Sequence, residues 1–313
     1  MSISTHASVT NKSTPPTPAE PAPVAESLRR PSATFRSRFW RSRRAVFGLT
    51  FLLLVSAMAL LAPVLAPYPE LRQDPSRTQL PPLSVSESGS YHILGTDALG
   101  RDLLSRMMFG GRVSLLVGIT VVSVASLLGV PLGLISGFFG KWPDALIMRV
   151  ADVQLAVPFI LLAIAIMAIL GTGLFNVILV LGVSSWVGYA RIVRGSVLSL
   201  RSQPFIEAAR CTGMTDRRLV ISHLLPNVWT PVLVLATQGV GGAILAESSL
   251  TFLGLGISPL IPTWGAMIAD GRNYLTTAWW ISTLPGLLLT CTVLAIYFLG
   301  DGLRDVLDPR LRM

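Results

Sequence analysis

Charge is scarce in this chain. Only 13% of its 313 residues are Asp, Glu, Lys or Arg, against about 25% in an ordinary soluble domain. With 51% hydrophobic residues, it lacks the polar surface a soluble fold needs, and a multi-span membrane protein is the leading class. Lysine is nearly absent, with Lys12 and Lys141 alone. The net charge of +9 therefore rests on arginines, which stand in short blocks beside apolar runs. That distribution fits the positive-inside rule and argues against a face that tracks nucleic-acid phosphates. Cys211 and Cys291, with His6, His92 and His223, are too few and too far apart for a disulfide framework or a metal site. No Gly-rich loop ends in Gly-Lys-Ser/Thr, so ATP chemistry is not built into this chain. No nucleophile or paired carboxylate suggests a membrane enzyme.

What is present is a series of apolar runs. Residues 1–44 read as a disordered, basic tail: six prolines fall within 1–31, and seven arginines between Arg29 and Arg44. The run 45–66 follows, which as a helix covers about 33 Å, enough for a hydrocarbon core of about 30 Å. SRRAVF at 42–47 faintly suggests a twin-arginine signal, but the apolar run exceeds the usual ~7–15 residues of a cleaved signal. Residues 67–112 carry five acidic and five basic side chains and read as an external loop. Further runs at 113–138, 153–171, 174–190, 228–246 and 277–300 complete six spans. The five-helix part, 113–300, holds an inner loop at 191–226, and 301–313 is a short tail. Arginines flank every proposed inner end, so both termini are expected in the cytoplasm. Gly129, Gly133 and Gly137 repeat at i+4 in the second run and predict a face for close helix packing. The outer segment 247–276, rich in breakers, is expected to dip partly into the membrane under the shelter of protein.

The stretch PFIEAARCTGMTDRRLVISHLLPN at 204–227 is the one polar module among these runs. Pro204 suits a first helical position, and Phe205, Ile206 and Ala209 share one face. Gly213 breaks the run. Thr215 can cap a second helix, whose apolar stripe, Leu219, Val220 and Leu224, ends at Pro226. Two helices this short are not stable alone and must be held by the bundle or a partner.

This module resembles the signature cytoplasmic loop of permease subunits of binding-protein-dependent ABC importers. Glu207, Ala208, Ala209, Gly213, Leu225 and Pro226 match in register, while His223 stands where the broad pattern has Ile. HILGTDALGRDLLSRMMFGGRVSL at 92–115, AESSLTFLGLG at 246–256 and LGDGLRDVLDP at 299–309 resemble the dipeptide, oligopeptide and nickel branch, and its second permease in particular. The resemblance implies an all-α polytopic protein with six transmembrane helices, the type I ABC importer permease fold, in a bacterial inner membrane. It implies a second permease, two cytoplasmic ATPases that bring ATP and magnesium, and an external solute-binding protein, with no cofactor in this chain and no nucleic-acid partner. The six matched residues then become the ATPase coupling loop, and short peptides the expected cargo, with nickel or another small solute as the alternative.

Two acidic residues within or beside spans, Asp152 and Glu247, are candidates for the pathway or its gate, because a membrane charge must face protein or water. The competing expectation for Asp152 is a simple pair with Arg149. Asp97, Arg101 and Asp102 in GTDALGRD suggest an internal salt bridge or a docking surface. A secondary transporter driven by an ion gradient is the rival from another class. It predicts paired, broken halves; Pro158 and Pro285 interrupt spans, but the two halves do not match.

Overall fold

The computed structural model describes residues 39–86, 89–258 and 260–307. Of the tail expected to be disordered over 1–44, residues 1–38 fall outside these, as do the last residues of the other tail. The part from 39 to 44 is ordered, with Phe39 buried beside Ala45 and Val306 and a helix starting at Arg43. The fold is an all-α bundle. Among the described residues five helices are long and apolar enough to cross a membrane, or six if one bent pair counts as a span.

Helix α1 (Arg43–Leu60) is capped by Ser42, whose side chain accepts from the Ala45 N–H. It breaks at Leu61 before a single turn, α2 (Ala62–Leu65), with Pro63 inside its start. α1 lies along the last helix, where Gly48 approaches so closely that a Cβ would stand 2.5 Å from the Ala295 carbonyl oxygen. The loop that follows carries a two-residue hairpin, β1 (Ser84–Val85) paired antiparallel with β2 (Tyr91–His92).

Helix α3 (Leu103–Phe139) starts ten residues before the run at 113. Its 37 residues extend about 55 Å, well beyond a hydrocarbon core. Arg106 and Arg112 gave its first turns the look of a loop, yet Arg106 is only 1% exposed because an ion pair accompanies it inward. The glycine face of α3 packs on α6 (Leu174–Leu200). A Cβ on Gly133 would lie 2.5 Å from the Ala190 carbonyl oxygen, and one on Gly137 2.7 Å from the Val197 Cβ.

The expected third span is not one helix. α4 (Lys141–Ala156) and α5 (Phe159–Leu170) meet at 89° across Val157 and Pro158. α4 runs antiparallel to the adjoining half of α6. Gln154 fastens the two, donating to the Ser184 carbonyl at 2.6 Å and accepting from the Trp186 indole at 2.8 Å. α6 itself continues ten residues past the expected end at 190. Its added turns are helical because their arginines find partners: Arg194 holds Asp144 through two bonds, the longer 2.7 Å.

Beyond the polar module, α9 (Leu225–Phe252) and α11 (Trp280–Leu307) complete the bundle, joined through α10 (Trp264–Gly271). Trp264 is fully buried; its indole donates to the Met107 carbonyl at 3.0 Å and its backbone N–H to the Ser114 hydroxyl at 3.3 Å. The breaker-rich stretch is thus a folded plug between the ends of α3, α9 and α11.

Candidate functional site

The module at 204–227 is built on a floor of apolar side chains. In α7 (Pro204–Cys211), Ile206 is fully buried and Ala209 nearly so. They join Leu219 and Leu224 in one cluster with Leu134 and Phe138 of α3, Val193 and Val197 of α6, and Val228 and Val232 of α9. Outside the lipid, a Leu or Ile side chain such as Ile206 or Leu219 contributes about 1.5–3 kcal/mol when fully buried. The module is therefore packed against three long helices at once.

Gly213 ends α7 in a Schellman turn. The Gly213 N–H donates to the Arg210 carbonyl at 2.9 Å and the Met214 N–H to the Ala209 carbonyl at 3.2 Å. Gly213 has φ +80°, and a Cβ there would meet nothing within 4 Å. The demand for glycine is one of backbone angle, not of space. Thr215 occupies the cap position of α8 (Asp216–Leu219) in extended conformation, but its side chain makes no capping bond.

Pro226 does not end the second helix, contrary to the expectation from sequence. α8 passes through a π-turn, Val220–Leu224, straight into α9. Proline has no N–H, and its ring crowds the carbonyl four residues back, here that of Ser222. The wider turn just before it, in which the Leu225 N–H reaches the Val220 carbonyl, relieves that crowding. The second half of the module is thus one rigid piece with a long helix.

The opposite face of the module is open. Glu207, Ala208, Arg217 and Arg218 are exposed, with Phe205 and Ile221 about half-exposed at 45% and 52%. Glu207 makes no ion pair or side-chain hydrogen bond among the described residues. Arg210 lies over the Phe138 ring at 5.6 Å, and Phe205 stacks on His223 at 6.5 Å. Of the six matched residues, Ala209 and the half-buried Leu225 belong to the floor, Gly213 to the turn, and Glu207, Ala208 and Pro226 to the open face.

The two other candidates lie elsewhere. Asp152 pairs with Arg191 of α6 at 2.6 Å, not with Arg149, and both partners remain exposed. Glu247 is fully buried in α9 and closed in by the hydroxyls of Ser248, Thr251 and Thr263, which tie α9 to the start of α10. At the far end of the bundle from the module, the GTDALGRD charges form an internal network. Asp97 accepts from Arg101 and Arg106 at 2.6 Å each, and Asp102 caps α3 through Ser105 while pairing with His92 at 2.8 Å. Asp270 of α10 approaches the same arginines at 3.3 and 3.5 Å. No signal in the sequence joined that residue to them. Among the described residues no group of three His, Cys, Asp or Glu is placed to hold a metal ion.

Comparison with known proteins agrees with this architecture. Residues 129–313 match the family described as binding-protein-dependent transport system inner membrane component. Residues 31–82 match the N-terminal TM domain of oligopeptide transport permease C. The di/tripeptide transport system permease protein of Pseudomonas aeruginosa is 42% identical over 90% of this chain and 93% of its own. The glutathione transport system permease protein of Pectobacterium atrosepticum is 41% identical over 92% of this chain and 94% of its own. Among solved structures, the inward-facing MetNI methionine ABC transporter superposes with a TM-score of 0.53 at 21% identity, over 65% of this chain and 97% of that one. The fold is that of an ABC importer permease, a transport subunit and not itself a catalyst. The chain belongs to the family of inner membrane components of binding-protein-dependent transport systems.

Proposed function

We propose that this chain pairs with a second permease to form the pathway through which an ABC importer moves short peptides inward. Two cytoplasmic ATPases supply the energy and an external solute-binding protein delivers the cargo. The observation that carries the reading is the module at 204–227, fixed to α3, α6 and α9 on one face and bare on the other. Glu207, Ala208 and Pro226 on its bare face meet the ATPase in this reading, while Ala209, Gly213 and Leu225 hold the shape that is met. Relatives named for peptide transport favour peptide over nickel as cargo. Reconstituted with its partners, the permease should take up a labelled dipeptide only when ATP and the binding protein are both supplied. Purified alone, it should hydrolyse no ATP above background. Uptake driven by a proton gradient without ATP would return the ion-coupled alternative to first place.

Both termini are cytoplasmic in this reading, with the module inside and the loop 66–102 outside. Thr78 and Ser202 are exposed at opposite ends of the bundle. In a background with Cys211→Ser and Cys291→Ser, Thr78→Cys should react with an impermeant thiol reagent in intact cells, and Ser202→Cys only after lysis. The reverse pattern would invert the topology.

A further inference from the structure

The break in the third span leaves polar backbone where a membrane helix normally has none. Val157 is extended, and Pro158 caps α5 without any side-chain bond. The first N–H groups of a helix have no partner within it, and those of Phe159, Ile160 and Leu161 find none elsewhere among the described residues. Residues 155–161 are exposed on this chain. Irregular backbone at membrane depth is tolerated only against protein or beside a water-filled cavity, not against lipid.

A recess of about 360 Å³ opens at this break, between α3, α6, α9 and the first residue of α5. Phe159, Ser185, Gly188, Tyr189, Gly239 and Gly242 help to line it. A Cβ on Gly188 or Gly242 would meet nothing within 4 Å, so these glycines leave the space empty. Tyr189 is only 4% exposed, and its hydroxyl has no hydrogen-bond partner. That oxygen lies 2.8 Å from where a Gly239 Cβ would stand, at the recess wall. A buried tyrosine O–H ordinarily has a partner. Here an orphan hydroxyl and Phe159, the first residue of a 12-residue helix, flank one hollow whose other polar side chain, Ser185, is already bonded to the Leu181 carbonyl at 2.7 Å.

We propose that this recess is a binding station on the transport pathway for the C-terminal carboxylate of a peptide in transit, held by the Tyr189 hydroxyl and the first N–H groups of α5. The inference rests on the peptide reading above. A helix N-terminus favours an anion through its free donors and its dipole, and broken membrane helices in other transporters present their ends to anionic groups in this way. The hollow falls within the ~300–1,000 Å³ typical of small-ligand sites, room for the end of a peptide rather than a long chain.

The test uses the complete importer reconstituted in proteoliposomes, with assembly of each variant checked by co-purification of its partners. Tyr189→Phe removes one oxygen and should assemble normally, yet lose about tenfold in peptide uptake, the worth of a hydrogen bond to a charged group. Gly188→Asp and Gly188→Asn place side chains of equal size in open space, and only the first repels a carboxylate. Uptake should fall at least about tenfold further for Asp than for Asn. Wild-type uptake in Tyr189→Phe, or equal uptake by the two Gly188 variants, overturns the station. Failure of the wild-type importer itself to move peptides would instead sink the peptide reading, and is seen before any variant is made.

Discussion

Gly133→Leu should leave almost no assembled permease in the membrane. The Cβ alone would stand 2.5 Å from the Ala190 carbonyl oxygen, 2.7 Å from the Val193 Cβ and 3.0 Å from the Ala190 Cα. Two of these three are backbone atoms, and α6 can yield only by moving away as a whole. In lipid there is no hydrophobic drive to restore the contact, since close van der Waals packing is what joins the helices. Overpacking costs about 1–3 kcal/mol in a core that can relax, and this contact offers little relaxation. The damage would also spread, because Leu134 and Phe138 of α3 and Val193 and Val197 of α6 floor the polar module. Immunoblots of membranes and size exclusion in mild detergent should show at least about a tenfold loss of monodisperse protein. Gly133→Ala should show the same trend more weakly. Gly195→Ala, on α6 where a Cβ meets nothing within 4 Å, is the matched control and should behave as wild type. Normal accumulation of Gly133→Leu would mean that the glycine face does not hold the bundle.

The glycine face was legible in the sequence because a small residue every fourth position is a one-helix pattern. What escaped the sequence were features that depend on a partner far along the chain. Arg106 and Arg112 marked a loop by composition. The structure makes those turns helical because Asp97 folds back onto Arg106 at 2.6 Å. Arg191 and Arg194 likewise suggested that α6 had ended, whereas Asp152 and Asp144 of α4 accompany them. Apolar content in 153–171 was uniform across Pro158, so composition could mark an interruption but not an 89° turn. Pro226 read as a stop because a helix was assumed to be α throughout, and a π-turn removes that premise. In the module, by contrast, the turning glycine and most of the buried stripe were readable, since each is set by local spacing; Phe205, expected on the face of Ile206 and Ala209, is instead 45% exposed on the open face. Tyr189 was not readable at all: an orphan hydroxyl exists only once three helices have been placed around it.

Glu207→Arg should abolish peptide uptake while leaving the permease in the membrane and paired. Glu207 is exposed, bonds no side chain among the described residues, and sits in the first turn of α7. Losing a carboxylate near a helix N-terminus costs about 0.3–1 kcal/mol, too little to free a module held by Ile206, Ala209, Leu219 and Leu224. Arginine is also a good helix former. Folding is thus spared, and what changes is the sign of charge on the face assigned to the ATPase. Gly213 probes the other half of the design, the shape of that face. At φ +80° an ordinary L residue is disfavoured by about 1–2 kcal/mol, and asparagine by less. Gly213→Ala should therefore loosen the joint between α7 and α8 and weaken coupling, whereas Gly213→Asn should retain most of it. A role for mere bulk predicts the reverse order, since asparagine is the larger. ATPase co-purification and peptide-stimulated hydrolysis in reconstituted membranes report both effects. If Glu207→Arg left both at wild-type values, the bare face of the module would not be where the ATPase docks. The anchored helices beneath it would then transmit a motion that enters the permease elsewhere.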